Sequence, residues 1–433
     1  MSPSIAVGIF GLIIVIGFIG EILFEYTKIP SILFLMAAGL LLGPIYHIFN
    51  QSIFLSFAPY LSTLVLVLIM FQGGIELDFL TVFKSSYLSM ILIIIGLLLS
   101  IILVGGAFYV TGGGDLMQSL MLGVIVSCSS STVIMPLLPN IDATEKSKTV
   151  IAIESTFNDA FAIIILIVLI EIAKNSSASF NVGGIALQTF YSFAVSALVA
   201  VIVGIIWYSL LKFLTNTKFA YSVTFAAMLV IVLIMHYIHG NGAIAILVFG
   251  IMMGNEELLT KLKLNFFKMS IKNSVIKKFN HEFSFLIRTV FFVFLGVVVE
   301  LTNVGVEFFI RLFVIILLII ISRYVAVSAI FKIQNFKKDN AAAQNQSSAS
   351  ADNVEDVKKE KFFMLSMIGR ALATAIMAYM PLNAGIPGTS KFPEYAFTVI
   401  IATNVLLTAG VWYGSRKFKN KTAETVTVNE VSN

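Results

Sequence analysis

Two carboxylates and an amide lie inside an otherwise apolar stretch of the sequence, IAIESTFNDAFAIIILIVLI (residues 151–170). A charge at the centre of a membrane-spanning helix costs roughly 2.5–3.5 kcal/mol, so such a residue needs a function or a partner. On a helix, residues four apart share a stripe, which places Asn158 above Glu154. Asp159 lies above Ser155 on the adjacent stripe. The two stripes can therefore face the same interior.

The second stripe offers ligands for a cation. The Asp159 carboxylate and the Ser155 hydroxyl are hard oxygen ligands, which suit a hard cation. A carboxylate also binds a proton, so proton and cation compete for Asp159. This competition is sufficient for antiport, because the carboxylate crosses the membrane loaded with one ion or the other. The alternative is that Asp159 is only a member of a structural ion pair.

Glu154 needs a positive partner, because an isolated buried charge is prohibitive. Two arginines in later apolar segments, Arg370 and Arg323, are available. We expect a structural Glu154–Arg370 pair that holds two spans together, with Arg323 able to substitute for Arg370 or to join a network. The one cysteine, Cys128, excludes an intramolecular disulfide and is predicted to have a packing role.

The composition explains which solvent surrounds these residues. Hydrophobic residues make up 58% of the 433 residues and charged residues 12%, whereas a soluble protein carries about 25% charged residues. The sequence therefore predicts an all-α polytopic membrane protein. The net charge of +5 is explained by basic cytoplasmic loops, so no nucleic-acid partner is expected.

Thirteen apolar segments are long enough, or nearly long enough, to span a bilayer. They lie at about 5–24, 29–46, 53–75, 87–110, 116–138, 149–171, 187–212, 219–238, 241–254, 283–299, 306–331, 362–381 and 395–415. An outer N-terminus puts 22 of the 28 lysines and arginines in inner segments and two in outer loops. The positive-inside rule then predicts an N-out, C-in topology with thirteen transmembrane helices.

Three pairs of segments resemble each other, always seven spans apart: MAAGLLLGP and LVFGIMMGN, MFQGG and VFLGV, STVIMPLLP and ATAIMAYMP. Because seven is odd, the two copies have opposite orientations, and such an inverted-topology repeat is typical of secondary transporters. Their binding sites lie where helices are interrupted. The strings VSCSSSTVIMPLLP and MIGRALATAIMAYMP predict the two broken helices. Alternatively, the serine hydroxyls only bond back to their own helix.

Several charged segments flank the spans. Residues 333–361 are polar and of low complexity, which predicts a disordered cytoplasmic loop. Residues 256–281 are basic with interspersed apolar positions, which predicts a linker along the inner membrane surface. Arg288 is expected at an interface between two rigid units. Four acidic residues close the first and third spans and form either a solvated rim or an inner funnel: Glu21, Glu25, Glu76 and Asp78.

The chain resembles the monovalent cation/proton antiporters, specifically the NhaP-type sodium/proton exchangers of archaea and bacteria. The motifs that carry the resemblance are ESTFNDA, FQGGIELD, GNGAIAILVFGIMMGN, FFVFLG and GRALATAIMA. The resemblance implies an ion site at Asp159 with Ser155 and Asn158. It also implies the structural bridge between Glu154 and Arg370, with Arg323 matching a further arginine.

Two departures from the family pattern remove negative charge near this site. The run Ser129-Ser130-Ser131 stands where the family often has Thr-Asp-Pro, so Ser129 and Ser130 join the predicted cation site. Gln72 stands where many members have glutamate. The Asn-Asp pair is similar to the electroneutral type, in which one Na⁺ or Li⁺ is exchanged for one H⁺ without a cofactor.

The resemblance further implies a homodimer in the cell membrane and an elevator-like movement. The predicted divisions are an interface panel (1–86 and 219–303), a transport core (87–175 and 304–416, including loop 333–361), a linking span (176–218) and a cytoplasmic tail (417–433).

Other interpretations of the sequence are a K⁺/H⁺ antiporter, a cation channel, a non-transporting sensor and an intramembrane aspartyl protease. The clustering of polar groups in spans five, six and twelve disfavours a channel. A protease needs two catalytic carboxylates, and Glu154 and Asp159 point along different stripes of one helix.

Overall fold

The computed structural model describes residues 3–49, 51–76, 87–175, 182–214, 220–255, 273–299, 305–342 and 352–431, and within these ranges every regular element is helical. In chain order the helices are α1 (Pro3–Thr27), α2 (Ser31–Leu40, continued by a π-helical turn, Leu41–Ile45), α3 (Gln51–Glu76), α4 (Tyr87–Val110), α5 (Leu116–Ile125), α6 (Ser131–Ile134, followed by a 3₁₀ turn, Met135–Asn140), α7 (Glu145–Asn175), α8 (Val182–Leu214), α9 (Ala220–Tyr237), α10 (Gly242–Gly254), α11 (Asn273–Val298), α12 (Val306–Ala342), α13 (Asp352–Ser366), α14 (Leu372–Asn383) and α15 (Phe392–Val431).

Seven of the described helices contain a segment long and apolar enough to cross a membrane. These segments are Gly8–Thr27, Phe54–Glu76, Tyr87–Val110, Glu145–Lys174, Leu187–Leu210, Val306–Ile333 and Phe392–Phe418. Four shorter apolar helices accompany them: Ser31–Ile45, Leu116–Ile125, Tyr221–Tyr237 and Gly242–Gly254. The all-α membrane class is thereby confirmed. The count of thirteen spans and the N-out orientation remain predictions.

Glycines at two helix crossings reveal the internal repeat. In the α2–α11 crossing, a Cβ atom added at Gly39 would lie 2.8 Å from the Cα atom of Gly296. In the α10–α3 crossing, a Cβ atom at Gly250 would lie 3.1 Å from the Cα atom of Gly74. Only glycine allows backbones to approach so closely. Because Gly39 matches Gly250 in the repeat, the two crossings are equivalent, with the two copies exchanged.

This equivalence shifts one sequence match by a residue. A direct alignment of MFQGG with VFLGV places Gly73 opposite Gly296. In the structure the residue equivalent to Gly296 is Gly74, because each of these two glycines packs against the other copy's matched glycine. A Cβ atom at Gly73 would meet no atom within 4 Å, so this position is not constrained by a crossing.

Two helices are interrupted, at the strings predicted from the sequence. Residues 126–130 separate α5 from α6, and residues 367–371 separate α13 from α14. The two interruptions touch, because the backbone N–H of Ser130 donates a hydrogen bond of 2.9 Å to the carbonyl oxygen of Gly369. Backbone groups released from helical pairing at this depth are thus satisfied within the protein.

The prediction of a disordered loop at 333–361 is wrong for its described parts. Helix α12 continues to Ala342, and α13 begins at Asp352; residues 343–351 lie outside the described residues. Lysine, glutamate, alanine and glutamine are good helix formers, so a polar segment next to an apolar helix can extend that helix. Helix α13 is also held in place, since the Ser147 hydroxyl donates a hydrogen bond of 3.1 Å to Glu360 and Lys359 pairs with Asp142.

The basic segment at 256–281 is also partly helical. Helix α11 begins at Asn273, ten residues before the predicted start of its span. Residues 256–272 lie outside the described residues, so the predicted surface linker is untested there.

Candidate functional site

Helix α7 carries the buried polar residues at the centre of the fold. Its first turn contains Glu145 and its last turn contains Lys174, which complement the helix dipole. Between them Glu154, Asn158 and Asp159 are buried, each at most 9% exposed. The Oδ1 atom of Asp159 is buried with no hydrogen-bond partner. A buried carboxylate oxygen without a partner is costly, and it is available to a proton or a cation.

Asp159 lines a narrow cavity. The Ser130 residue at the first helix interruption, Thr132 and Thr156 also line this cavity, together with Glu76 on α3. Ser130, Thr132 and Thr156 each offer a hydroxyl group. The Ser130 Oγ atom lies 3.0 Å from the Thr132 Oγ1 atom. The cavity therefore combines one buried carboxylate with several neutral oxygen ligands, which suits a monovalent cation.

The narrow cavity opens into a funnel of about 710 Å³. The residues that line both spaces include Gln72, Ser131, Thr132, Glu76 and Arg288. Glu21 and Glu282 line the funnel farther out. Glu21 and Glu76 thus lie along a funnel, whereas Glu25 is not part of its lining and Asp78 lies outside the described residues. Three carboxylates along one passage attract cations toward Asp159.

The partner of Glu154 differs from the one expected. The Glu154 Oε1 atom pairs with the Arg323 Nη1 atom at 3.0 Å, and the Arg323 Nε atom donates a hydrogen bond of 3.0 Å to the carbonyl of Met364. The Glu154–Arg370 pair expected from the sequence is therefore corrected to Glu154–Arg323. The reason is the second helix interruption, which takes Arg370 out of helical geometry and turns its side chain toward backbone carbonyls.

Arg370 instead holds the two interruptions together. Its Nε atom donates a hydrogen bond of 3.1 Å to the carbonyl of Val126, just beyond the end of α5. The Asn404 side-chain amide donates a hydrogen bond of 2.6 Å to the carbonyl of Arg370. A guanidinium group next to the C-terminus of a helix also complements its dipole. Arg370 therefore neutralises helix-end carbonyls rather than the Glu154 carboxylate.

Ser129 and Asn158 extend the network around Glu154. The Ser129 hydroxyl donates a hydrogen bond of 2.5 Å to Glu154 Oε1, and the Asn158 amide lies 3.3 Å from Ser129 Oγ and 3.4 Å from Glu154 Oε1. The Ser155 hydroxyl is bonded back to the carbonyl of Ala152 at 3.1 Å. Among the predicted cation ligands, Asp159 and Ser130 line the narrow cavity.

Three residues near Asp159 were missed by the sequence interpretation. Thr156 lies three residues before Asp159, so helical spacing could have indicated it. In the sequence Thr132 stands out only as part of the repeat. Cys128 is fully buried; its Sγ atom is 3.3 Å from Thr374 Oγ1, and it lies near the Asp159 carboxylate. No feature of the sequence distinguished this cysteine from a packing residue.

The comparisons with known proteins agree with this architecture. A family model described as the sodium/hydrogen exchanger, transmembrane, matches residues 11–414. The chain belongs to this family of membrane transporters, and it is a multi-pass cation/proton antiporter.

Solved structures share the fold. One is the sodium proton antiporter MjNhaP1 from Methanocaldococcus jannaschii at pH 8, with a TM-score of 0.68, 19% sequence identity, and coverage of 96% of this chain and 97% of that chain. A second structure of MjNhaP1, from an electron-microscopy map, gives a TM-score of 0.65 at 18% identity and covers 96% of each chain. The predicted NhaP-type antiporter fold is confirmed.

Proposed function

We propose that this protein exchanges one Na⁺ or Li⁺ for one H⁺, with both ions carried in turn by Asp159. The observation that carries the proposal is the unpartnered Asp159 Oδ1 atom in the lining of a narrow cavity that shares residues with an acidic funnel. Ser130, Thr132 and Thr156 supply neutral oxygens beside it. The other three predicted cation ligands bond elsewhere: Ser129 and Asn158 to Glu154, and Ser155 to the carbonyl of Ala152.

The exchange is electroneutral in this proposal. Besides Asp159, the buried carboxylate on α7 is Glu154, and its charge is balanced by Arg323 at 3.0 Å. One titrating carboxylate carries one monovalent ion in each direction, so no net charge crosses. Any net charge would couple transport to the membrane potential by about 2.3 kcal/mol per 100 mV.

Alternating access by an elevator movement is the second part of the proposal. The panel comprises α1–α3 and α9–α11, and the moving core comprises α4–α7 and α12–α15, with α8 linking them. On the far side of Asp159 from the funnel, Ile163 and Met377 are fully buried in one apolar cluster. There the Asn383 amide donates a hydrogen bond of 2.9 Å to Ser62 Oγ, which joins α14 to α3. These contacts support a state open only toward the funnel, and the predicted orientation makes that side cytoplasmic.

A second cavity, of about 230 Å³, lies beyond this closure. It is lined by Ser62 and Asn383 and also by Glu171 and Lys174 at the end of α7. In the proposed cycle this cavity becomes the outer entrance when the core moves. The panel also forms the interface of a homodimer in this proposal, as the resemblance to the NhaP-type exchangers implies.

The test is proton exchange in proteoliposomes that contain an internal pH dye, with Na⁺, Li⁺ or K⁺ added outside and the voltage clamped. Asp159→Asn is compared with Glu145→Gln, which removes an exposed carboxylate (89% exposed). We expect a Na⁺-driven pH change that is insensitive to voltage, lost in Asp159→Asn and retained in Glu145→Gln. A response only to K⁺ would support the K⁺/H⁺ alternative, and exchange that survives Asp159→Asn would refute the proposed site.

A further inference from the structure

Arg288 on α11 occupies an unexpected place for a positive charge. It lines both the funnel and the narrow cavity whose lining includes Asp159, so it lies where the two spaces join. Its side chain is 15% exposed. A cation that approaches Asp159 from the funnel must therefore pass a like charge, which opposes its entry.

The guanidinium group of Arg288 is held loosely. Its Nη2 atom lies 3.4 Å from the Glu21 Oε1 atom, whereas strong charge-assisted hydrogen bonds measure about 2.7–2.9 Å. The Ser31 hydroxyl donates a hydrogen bond of 3.0 Å to the same oxygen atom. The three residues belong to α1, α2 and α11. The glycine crossing of α2 with α11 fixes the backbones of two of them, so the side chain of Arg288 is the adjustable part.

We propose that the positive charge of Arg288, held near the site by Glu21, competes with the transported cation for the negative charge of Asp159. Glu21 restrains the guanidinium group at the neck of the passage, where its charge weakens the binding of Na⁺ to Asp159 from the funnel side. A buried carboxylate surrounded by hydroxyl oxygens would otherwise retain a cation. The like charge makes release into the funnel faster and sets the apparent affinity on that side.

This inference deepens the proposed function and depends on it, because it takes Asp159 as the shared binding group. It assigns Arg288 the role of a positioning residue that acts through electrostatics on the site. It also predicts that Arg288 affects the apparent KM for Na⁺ only on the funnel side of the membrane. Arg288 belongs to the panel, so its charge lies near Asp159 only while the core is in its funnel-open position.

The experiment measures the apparent KM for Na⁺ on each side of oriented proteoliposomes. Arg288→Gln removes the competing charge, and we expect the funnel-side KM to fall about five- to tenfold. Glu21→Gln keeps the guanidinium group but removes its tether, and we expect the funnel-side KM to rise. Arg288→Lys retains the charge and should leave the KM within about twofold of wild type. The KM on the opposite side should not change in any of the three variants.

The matched control is a second Arg–Glu pair, away from the passage. Arg311 pairs with Glu307 at 3.2 Å on α12, so Arg311→Gln and Glu307→Gln should leave both KM values unchanged. An unchanged or higher funnel-side KM in Arg288→Gln would overturn the inference. If that variant does not fold, Glu21→Gln is compared with Glu282→Gln, which removes a funnel carboxylate but leaves the Arg288–Glu21 pair in place. A KM rise in Glu21→Gln no larger than that in Glu282→Gln would refute the inference. Exchange that persists in Asp159→Asn would instead refute the proposed function itself.

Discussion

The backbone amide of Ser130 donates its hydrogen bond to the carbonyl oxygen of Gly369, at 2.9 Å. This bond joins two polypeptide interruptions that are 239 residues apart in sequence. Neither residue could make it from within a regular helix of its own. The site near Asp159 is therefore built on a contact between the two copies of the repeat.

Gly369 should be intolerant of a side chain. A Cβ atom there would lie 3.0 Å from Leu407 Cδ1 and 3.1 Å from Asn404 Oδ1, so Gly369→Ala overpacks the interruption. We expect a loss of about 1–3 kcal/mol in the free energy of unfolding, measured by thermal unfolding in detergent. Gly106→Ala is the control, because a Cβ atom at Gly106 meets nothing within 4 Å. Equal effects of the two substitutions would contradict the predicted crowding.

The Glu154–Arg323 pair should contribute to stability as a unit. Glu154→Gln leaves Arg323 buried without its counter-charge, which costs about 3–5 kcal/mol. Arg323→Gln should cost a similar amount, and the double variant should be more stable than either single variant. A double-mutant cycle on unfolding free energies measures this coupling. The exposed pair Lys148–Glu145 is the control, with an expected coupling of about 0–1 kcal/mol; additive losses at Glu154 and Arg323 would argue against the buried pair.

Protons should compete with Na⁺ in a defined direction. A proton on the Asp159 carboxylate excludes the cation, so the apparent KM for Na⁺ should rise as the pH falls. With one competing proton the rise approaches tenfold per pH unit on the acid side and vanishes on the alkaline side. The maximal rate at saturating Na⁺ changes less than KM does. Initial rates over a pH series with equal pH on both sides measure it, and a pH-independent KM would speak against a shared carboxylate.

The Asn383–Ser62 hydrogen bond should stabilise the funnel-open state. Asn383→Leu removes the donor, and the loss of one hydrogen bond, about 1 kcal/mol, shifts the population roughly fivefold toward the other state. The measurement uses Met380→Cys in a Cys128→Ser background. It follows the rate at which a membrane-impermeant maleimide, added outside, labels the new thiol. We expect faster labelling with Asn383→Leu than without it. Asn140→Leu, at the opposite end of the fold, is the control. Equal labelling rates with Asn383→Leu, with Asn140→Leu and with neither substitution would show that the Asn383–Ser62 hydrogen bond does not stabilise the funnel-open state.

The sequence predicted the elements of the fold more fully than it predicted their contacts. Hydrophobic length located the apolar helices, and for α4 the predicted and observed limits are the same, 87 and 110. The polar strings located both interruptions. The α6 segment is short because Pro136 and Pro139 follow it, whereas the repeat has alanine at the position of Pro136 and α14 continues to Asn383. That difference was readable from the aligned strings.

The sequence did not indicate which of the two arginines pairs with Glu154. Both Arg323 and Arg370 lie in apolar segments, and charge alone fits either of them to Glu154. The outcome depends on the path of the backbone through residues 367–371, which turns Arg370 toward the carbonyl of Val126. Likewise, the acidic residues at the ends of α1 and α3 became a funnel only when the packing of α11 placed Arg288 and Glu282 beside them. Such long-range geometry has no local sequence pattern.

The glycine crossings also constrain how the protein is made. Gly39 in α2 packs on Gly296, and Gly74 in α3 packs on Gly250, so each half of the chain completes a helix pair with the other half. During synthesis α2 and α3 enter the membrane long before α10 and α11 exist, because translation adds only about 5–20 residues per second. Until then the glycine faces of α2 and α3 contact lipid instead of their partner helices. Assembly is therefore a late event, and the two halves form one cooperative folding unit.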